Sequence, residues 1–534
     1  MTAATALAGA ASATVAAPGA LAVGQPLRQQ LEREFRPRND VARQLVQDGV
    51  RTLARTLLAQ GGNEVDGDAA QVIRATIAHL DSTLSRQLND IIHQPEFQRL
   101  EGSWRGLHHL VFGSQTSRQL KIRVLDVSKS ELGRSLAAYR GETFDQSPLF
   151  KRVYDDEFGQ FGGEPYGCLI GDYAFDHSME DVNLLRGIAR VVASAHCPFI
   201  TAASPSMMQM ESWSELANPR DLASILNTPE FAAWQALRKS SDARYVALTL
   251  PRFAARPTYG TGGETLAAFA FEEDLSRGAQ AIVWSNAAYA MGVNVNRAFA
   301  TYGWCSRIRG VESGGLVENL PMLQLRDRPG AVRLGIPTEI AISDRREAEL
   351  SRAGFMPLIY RKNSNVAAFI GARTIHSPPD YGDESANENA ELSARLPYVF
   401  AVSRFAHYLK CIGRDKVGSF QSREAIQRWF KAWIMRYVDG DPSISSEDVK
   451  ARRPLAAAEV TVDEIAGEPG HYYTTFHLRP HYQLEGLTVS LRLVGRVPLA
   501  NAESATGTAA GETGDAAAEE GPATTEAAPA AAAG

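Results

Sequence analysis

The sequence lacks most of the features that mark disulfide scaffolds, membrane proteins and secreted proteins. Its 534 residues include four cysteines, which are widely spaced and form no CxxC pair. This pattern argues against a disulfide scaffold and favours a reducing compartment. No uncharged apolar run reaches the ~18 residues of a membrane span, and the Ala-rich start has no basic residues of the kind that open a secretory signal. We therefore expect a cytoplasmic protein without direct membrane insertion.

The sequence also lacks an excess of positive charge. Lys and Arg together number 55 against 61 Asp and Glu, a formal net charge of −6. Residues 500–534 carry six acidic residues and no basic one, so the rest of the chain is close to neutral. A nucleic-acid binder normally shows a basic excess, and we expect no nucleic-acid partner. Residues 1–26 are rich in alanine, and both 1–26 and 500–534 are expected to be disordered.

Motifs for catalysis, cofactors and metals are missing as well. Residues 260–265 are Gly-rich but contain no lysine to meet a phosphate, and the Gly-rich run at 159–165 precedes a predicted strand instead of following one. His477 and His481 would lie about 13 Å apart on a strand, too far to share one ion. We therefore predict no catalytic residue, no cofactor and no metal. An α/β enzyme with a dispersed site stays open as an alternative.

What the sequence does contain is a set of strand patterns near the end of its folded part. Residues 459–463 alternate in polarity, residues 472–478 are rich in β-branched and aromatic residues, and residues 487–494 alternate again. The apolar positions of the last run are Leu487, Val489, Leu491 and Leu493. A three-stranded unit is stable only when its edges and face are covered. We predict that this sheet is shared with neighbouring subunits, with the last strand as an inter-subunit strand.

The N-terminal part is predicted to be helical. A stripe of Leu27, Leu31 and Phe35 is too short for a stable isolated helix, so it is either disordered or ordered by a partner. A firmer helix is predicted over residues 40–58. The next helix repeats apolar residues in steps of three and four, like a coiled-coil seam, at Ile73, Ile77, Leu80, Leu84 and Leu88. This seam packs either on its own domain or on a partner helix.

Strand and helix patterns interleave in the middle of the chain. A helix is predicted over residues 96–110, followed by an alternating strand at 121–127 and a capping box formed by Ser128 and Glu131. The apolar side of that helix holds Phe97, Leu100, Trp104 and Leu107. Further predicted elements are strands at 167–174 and 245–250 and a helix at 184–195. The interleaving indicates a mixed α/β body.

A late helix beginning at Ser422 is unusually well specified. Its apolar stripe is Ile426, Trp429, Phe430, Trp433, Ile434 and Tyr437. Arg428 and Lys431 lie off this stripe and give the helix a basic face. That face is either simply solvated or grips an acidic partner.

Several sequence blocks resemble the large subunit of the type VI secretion contractile sheath, the TssC or VipB family. The blocks lie at 154–167 (YDDEFGQFGGEPYG), 196–200, 242–253 (DARYVALTLPRF), 313–315, 336–347 (IPTEIAISDRRE), 396–398 and 452–455. They occur in the right order, and the resemblance covers roughly residues 27–497. Several blocks in register are highly specific, whereas the two tails match nothing in the family.

The resemblance implies a structural protein, not an enzyme. Family members pair with a small sheath subunit of the TssB/VipA type and stack into a helical tube around an inner tube of Hcp protein. Assembly starts at a baseplate, contraction drives the inner tube and spike into a target cell, and a ClpV-type AAA+ ATPase dismantles the contracted sheath. Homotypic contacts and shared β-sheets join neighbouring subunits. The sheath of a related phage-tail-like contractile injection particle is the alternative reading.

The resemblance also assigns roles to segments. The expected domains are 1–26, a disordered N-terminus; 27–112, a helical arm; 113–395, the sheath body; 396–499, an inner-wall domain; and 500–534, a disordered tail. Leu27, Leu31 and Phe35 lie where the family carries the segment read by the ATPase, although this stretch is richer in Arg and Glu than the family pattern. The seam from Ile73 to Leu88 would contact the small subunit. Arg428 and Lys431 are the candidates for contact with the inner tube.

Overall fold

A computed structural model describes residues 39–59, 69–218, 221–260, 271–328, 331–416, 422–464 and 472–481. All of them fall in one unit, Met1–Tyr482, and a second unit, Gln483–Gly534, lies outside the described residues. The elements interleave helix and strand, which confirms the mixed fold class.

The helices are numbered along the chain. They are α1 (Asp40–Ala59), α2 (Ala69–Ile92), α3 (Pro95–Phe112), α4 (Lys129–Ala138), α5 (Pro148–Phe150), α6 (Met179–Ser194), α7 (Leu222–Leu226), α8 (Ala232–Arg238), α9 (Ala287–Tyr302), α10 (Asp344–Arg352), α11 (Glu384–Leu392), α12 (Leu396–Lys416), α13 (Arg423–Ile434) and α14 (Glu447–Arg452). A π-helix, Lys151–Gly159, continues α5. Short 3-10 helices are Gly141–Gln146, Pro205–Met208, Trp213–Ala217, Pro229–Phe231, Ser241–Tyr245, Gly278–Ala281 and Met435–Tyr437.

The strands form one large sheet and three small ones. They are β1 (Leu169–Phe175), β2 (Phe199–Ala203), β3 (Val246–Leu250), β4 (Phe253–Ala254), β5 (Trp284–Ser285), β6 (Leu316–Val317), β7 (Leu323–Arg328), β8 (Ala331–Gly335), β9 (Phe355–Tyr360), β10 (Ala367–Phe369), β11 (Leu455–Glu464) and β12 (Tyr472–Pro480). The large sheet has the order β1-β2-β3-β9-β10-β6, and the pairs are β4-β5, β7-β8 and β11-β12.

The large sheet is parallel from β1 to β9, and its last two strands run antiparallel. Every residue of β2 and β3 is buried, as expected for strands covered on both faces. Along β3, Val246 and Leu248 enter one hydrophobic cluster while Ala247 enters another. The first cluster also holds Leu185 of α6, and the second holds Met291 of α9. The sheet is therefore the middle layer of the body.

A separate cluster forms the C-terminal part of the fold. The hairpin β11-β12 confirms the first two predicted closing strands, and α13 packs on it through Phe430 and Ile434, which meet Val460 and Val462. The third predicted strand lies outside the described residues. α13 is capped by Ser422, whose hydroxyl accepts from the Ala425 amide at 3.3 Å.

Two predictions concern the residues that follow α3, and one of them is confirmed. The capping box is confirmed, because the Ser128 hydroxyl accepts from the Glu131 amide and the Glu131 carboxylate accepts from the Ser128 amide at 3.0 Å. The strand predicted at residues 121–127 is wrong. This segment is not part of a strand, since within the described part of the chain no neighbouring backbone pairs with it. Alternating polarity favours an extended segment but cannot supply a neighbour.

Candidate assembly surfaces

The predicted contact residues form four groups, and the structure describes the two that lie on α2 and α13. The described residues do not include Leu27, Leu31 and Phe35, nor the inter-subunit strand positions Leu487, Val489, Leu491 and Leu493. These two groups stay predictions. The other two groups, one on α2 and one on α13, can be located.

The α2 seam lies on a single long helix. Ile77, Leu80 and Leu84 are each about half exposed, and Leu88 is partly buried. Ile73 lies on the same helix, within Ala69–Ile92, but its side chain is outside the description. The described side chains of the seam therefore leave substantial apolar area in contact with solvent.

The next helix, α3, presents a second apolar surface. Phe97, Leu100 and Trp104 are exposed, with Trp104 at 65%, and we call these three residues the outer stripe. The sequence identified this stripe as the apolar side of the helix without saying what it faces. Exposed aromatic and aliphatic residues at helical spacing form the kind of patch that marks a protein interface.

The opposite side of α3 packs on the body through small residues. Gly102 and Gly106 are buried along with Leu110. A Cβ atom at Gly102 would overlap the backbone oxygen of Trp284, and one at Gly106 would overlap the ring of Tyr289 in α9. Close approach thus requires glycine at both positions. The Gly-xxx-Gly spacing is a sequence signal that could have indicated which side of α3 faces inward, and the sequence analysis missed it.

A buried ionic cluster fastens the same helix to the body. Arg256 donates to both carboxylate oxygens of Glu273 at 2.7 and 2.8 Å and to Glu101 of α3 at 2.8 Å. Glu101 also accepts from Arg105 at 2.7 Å. Burial by itself lowers the pKa of Arg256, but the hydrogen bonds and charges of Glu273 and Glu101 outweigh it and raise that pKa. The cluster joins two arginines to two glutamates, and its hydrogen bonds fix the orientation of α3.

The C-terminal end of α2 is tied to the same loop. The Asn89 side chain donates to the Glu272 carbonyl at 3.0 Å and accepts from the Asp274 amide at 2.8 Å. His93, between α2 and α3, places Nε2 3.6 Å from the Glu273 carboxylate. Polar contacts thus hold the end of α2, while its apolar seam stays exposed.

The basic face of α13 is exposed as predicted. Phe430 and Ile434 point into the C-terminal cluster, and Arg428 and Lys431 lie on the solvent side. Neither cation forms an ion pair with an acidic side chain of the described residues, and Arg428 makes only a local 3.3 Å hydrogen bond to the Glu424 carbonyl. Unpaired exposed cations remain available to an acidic surface.

We also searched the described residues for metal sites, enclosed cavities and reactive thiols. They contain no group of three or more His, Cys, Asp or Glu placed to hold a metal ion. Cavities of about 260 Å³ beside Arg297 and Arg307 and about 560 Å³ beside Asp81 and Asp274 are both open to solvent. Burial raises the pKa of the Cys305 thiol to about 12 and also raises that of Cys197, so both thiols stay protonated.

Family models identify the class of protein to which the chain belongs. The model described as VipB, EvpB/VC_A0108 tail sheath N-terminal domain, matches residues 74–376, and its companion tail sheath gpW/gp25-like domain matches residues 385–497. The chain therefore belongs to the VipB tail-sheath family and is a contractile-sheath subunit. No helix in the described part is long and apolar enough to cross a membrane.

A particular relative is close. The chain is 55% identical over 489 residues to "Type VI secretion system sheath protein TssC1" of Pseudomonas aeruginosa. The aligned region covers 90% of this chain and 98% of the relative. The family resemblance found in the sequence is thereby confirmed.

Solved structures give weaker likenesses. A chain of the anti-feeding prophage baseplate aligns with a TM-score of 0.35 and 11% identity, and one of the contracted anti-feeding prophage helical sheath with a TM-score of 0.32 and 12% identity. Each alignment covers 73% of this chain and 86% of the other.

Proposed function

We propose that this chain is the large subunit of a type VI secretion contractile sheath in the bacterial cytoplasm. In this proposal it co-assembles with a small TssB/VipA-type subunit into a helical tube around an Hcp inner tube. Contraction of the tube from a baseplate propels the inner tube and spike into a target cell. The observation that carries the proposal is the 55% identity to TssC1 over nearly the whole chain. Its role is structural and needs no catalytic site or cofactor.

The small subunit is proposed to dock on residues 27–112. The support is the apolar area that α2 and α3 leave uncovered in the described residues, from Ile77 to Leu84 and from Phe97 to Trp104. An amphipathic helix of the partner would bury both rows, and the buried ionic cluster around Arg256 would keep α3 in place while it does so.

The inner tube is proposed to contact the C-terminal part, residues 396–499. Arg428 and Lys431 are exposed side by side on α13 and have no described acidic partner. α13 is anchored by its buried aromatic side, so the two cations are presented from a rigid base. Residues 113–395, which hold the large sheet, would form the body of the sheath between these surfaces.

Neighbouring subunits are proposed to share strands with the β11-β12 hairpin. The strand positions Leu487 to Leu493 follow that hairpin in the sequence and, in this proposal, pair with the sheet of a neighbouring subunit. Such pairing keeps neighbours linked while their bodies rotate during contraction. The segment with Leu27, Leu31 and Phe35 would be recognised by a ClpV-type AAA+ ATPase after contraction.

The proposal is tested by negative-stain electron microscopy of the full chain, expressed alone and together with a small TssB/VipA-type subunit. Long hollow tubes that form only on co-expression are expected. A monodisperse particle in both preparations would contradict the sheath function.

A further inference from the structure

An acidic groove borders the apolar seam of α2. It has a volume of about 560 Å³ and lies between α2 and the loop that carries Glu272 and Asp274. Asp81 lines it four residues after Ile77 and three before Leu84, so the groove lies directly beside the seam on the helix. The charged residues of the lining are Asp81, Arg86, Asp90, Glu272 and Asp274. Four acids against one arginine give the groove a formal charge of −3.

The groove offers negative charge to a partner. Asp81 and Asp90 form no ion pair with another described residue. Asp274 is exposed, and the Ser276 amide donates to its carboxylate at 2.9 Å, which lowers the pKa of that carboxyl. A segment that covers both the groove and the exposed seam must therefore combine apolar residues with positive charge.

Residues 26–38, with the sequence PLRQQLEREFRPR, combine these two properties. They carry the apolar stripe from Leu27 to Phe35, and they have four arginines against two glutamates. Pro26 suits the first turn of a helix, and Pro37 disfavours helical backbone at the residue before it. A helix of about ten residues needs a partner surface to be stable. The groove and seam of α2 supply apolar area and the opposite charge.

The other segments outside the description match the groove less well. Residues 60–68, 261–270 and 465–471 contain acidic residues and neither Lys nor Arg, so the groove would repel them. Residues 482–499 have two arginines against one glutamate, but they carry the alternation of a strand. Charge and helical patterning together therefore point to residues 26–38 as the occupant of the groove.

The connection between residues 26–38 and α2 is long enough for docking. α1 has 20 residues and is about 30 Å long, and the nine residues 60–68 can span up to about 30 Å. Asp81 and Asp90 lie within about 32 Å of the start of α2 along the helix axis. A segment tethered in the same chain has an effective concentration on the order of a millimolar, so even weak docking would be well populated.

We propose that residues 26–38 are an intramolecular cap: in the unassembled chain they dock as an amphipathic helix on the groove and seam of α2, and the small subunit displaces them on assembly. This inference rests on the co-assembly proposed above. The cap covers apolar area of α2 until the partner binds, which limits self-association through the seam. The outer stripe of α3 stays open and gives the small subunit a first contact.

A pair of charge reversals in the full chain tests the cap. On a helix, Arg28 lies close to the stripe, because it precedes Phe35 by seven residues, and Arg28→Glu sets a negative charge against the acidic groove. Arg33 lies two residues after Leu31, which places it on the opposite side, so Arg33→Glu is the matched control with the same change of charge. The readouts are hydrogen exchange of the α2 amides from Ala78 to Asp90 in the chain alone, and affinity for the small subunit by isothermal titration.

Arg28→Glu is expected to speed exchange of these amides by about threefold or more, and Arg33→Glu to leave it nearly unchanged. Arg28→Glu should also tighten binding of the small subunit by about threefold, because a chain capped about two thirds of the time binds with about one third of its intrinsic affinity. A peptide of residues 26–38, added to the Arg28→Glu chain, should slow the exchange again. The same peptide with Arg28→Glu should not.

The sign of the change in affinity separates the cap from a direct partner contact. Weaker binding of the small subunit to the Arg28→Glu chain would place residues 26–38 in the contact with the partner and overturn the cap. Unchanged exchange in the free chain, or equal effects of the two reversals, would overturn it as well and leave the sheath function intact. Exchange that changes as expected, without binding of the small subunit to any variant, would instead contradict the sheath function.

Discussion

The helices α3 and α13 carry similar apolar stripes and use them in opposite ways. On α13 the stripe is buried: Phe430 and Ile434 pack on the β11-β12 hairpin, and the charged residues face solvent. On α3 the stripe of Phe97, Leu100 and Trp104 faces solvent, and the glycines face the body. The comparison teaches that an apolar stripe alone does not identify the side of a helix that packs on the body: the apolar stripe does so on α13, whereas buried glycines do so on α3.

The largest expected effect comes from the buried stripe. Phe430→Ala should lower the free energy of unfolding by about 4 kcal/mol, because the Phe430 ring is buried against Phe476 and Trp429. Chemical denaturation of the full chain measures this change. A loss below about 1 kcal/mol would show that the α13 stripe is not a core contact.

A steric clash on the body-facing side of α3 should lower the free energy of unfolding by somewhat less than Phe430→Ala does. Gly102→Val places side-chain carbons against the backbone of Trp284, which cannot move as a flexible side chain would, and we expect a loss of about 3 kcal/mol. Gly413→Ala in α12 is the matched control, since a Cβ there meets no atom within 4 Å and alanine favours a helix. Equal stability of the two variants would contradict the close packing of α3 on the body.

Acid should weaken the packing of α12 on the body. Burial lowers the pKa of His407 to about 4, while its Nε2 lies 2.9 Å from the Ala195 carbonyl. The unfolded chain therefore binds this proton more readily, so stability is fully present above pH 6.5 and falls by up to about 3 kcal/mol as the pH drops towards 4.

The matched variant for this prediction is His407→Gln. It removes the titrating group, so the slope of unfolding free energy between pH 4 and 6.5 should become shallower than in the parent chain. Thermal unfolding across this pH range gives the slope. An identical slope in both proteins would place the acid sensitivity elsewhere.

The outer stripe of α3 should behave as a surface in the free chain and as an anchor in the complex. Trp104→Ala is expected to change the free energy of unfolding by less than about 0.5 kcal/mol, since Trp104 is exposed, and to weaken small-subunit binding by about 2 kcal/mol. Isothermal titration together with denaturation separates the two. A large loss of stability with unchanged binding of the small subunit would show that the stripe packs within the chain.

The basic face of α13 should also contribute little to stability. Reversing both charges, Arg428→Glu with Lys431→Glu, should alter the free energy of unfolding by no more than about 0.5 kcal/mol, because both side chains are exposed. The amount of inner tube that is retained in purified sheaths should nevertheless decrease. Normal retention would remove these residues from the tube contact.

Local features of this fold could be predicted from the sequence, and tertiary neighbours could not. Ser128 was predicted to cap a helix and Ser422 to begin one, because helix starts depend on residues about three positions away. The exposure of Trp104 could not be read from its spacing, because a stripe looks the same whether the body or a partner covers it. The Gly102 and Gly106 spacing held the missing information. The strand predicted at residues 121–127 is wrong for the same reason, because strand pairing depends on a neighbouring strand that the local sequence does not identify.

The family could be identified from the sequence more securely than the contact residues. Blocks such as 154–167 and 336–347 matched in order, and the family models confirm them over most of the chain. Contact roles depend on a second chain, so the positions of Arg428 and Lys431 on an exposed face support a role without identifying the partner.

We expect the α3 stripe to be covered by another chain, whereas the α13 stripe is covered by its own chain. A cryo-electron-microscopy map of the co-assembled tube, at a resolution that shows side chains, tests it most directly. In that map Trp104, 65% exposed in the single chain, should be covered by the small subunit, while Phe430 keeps its packing against the β11-β12 hairpin. A map in which Trp104 remains in solvent along the whole tube would contradict the account.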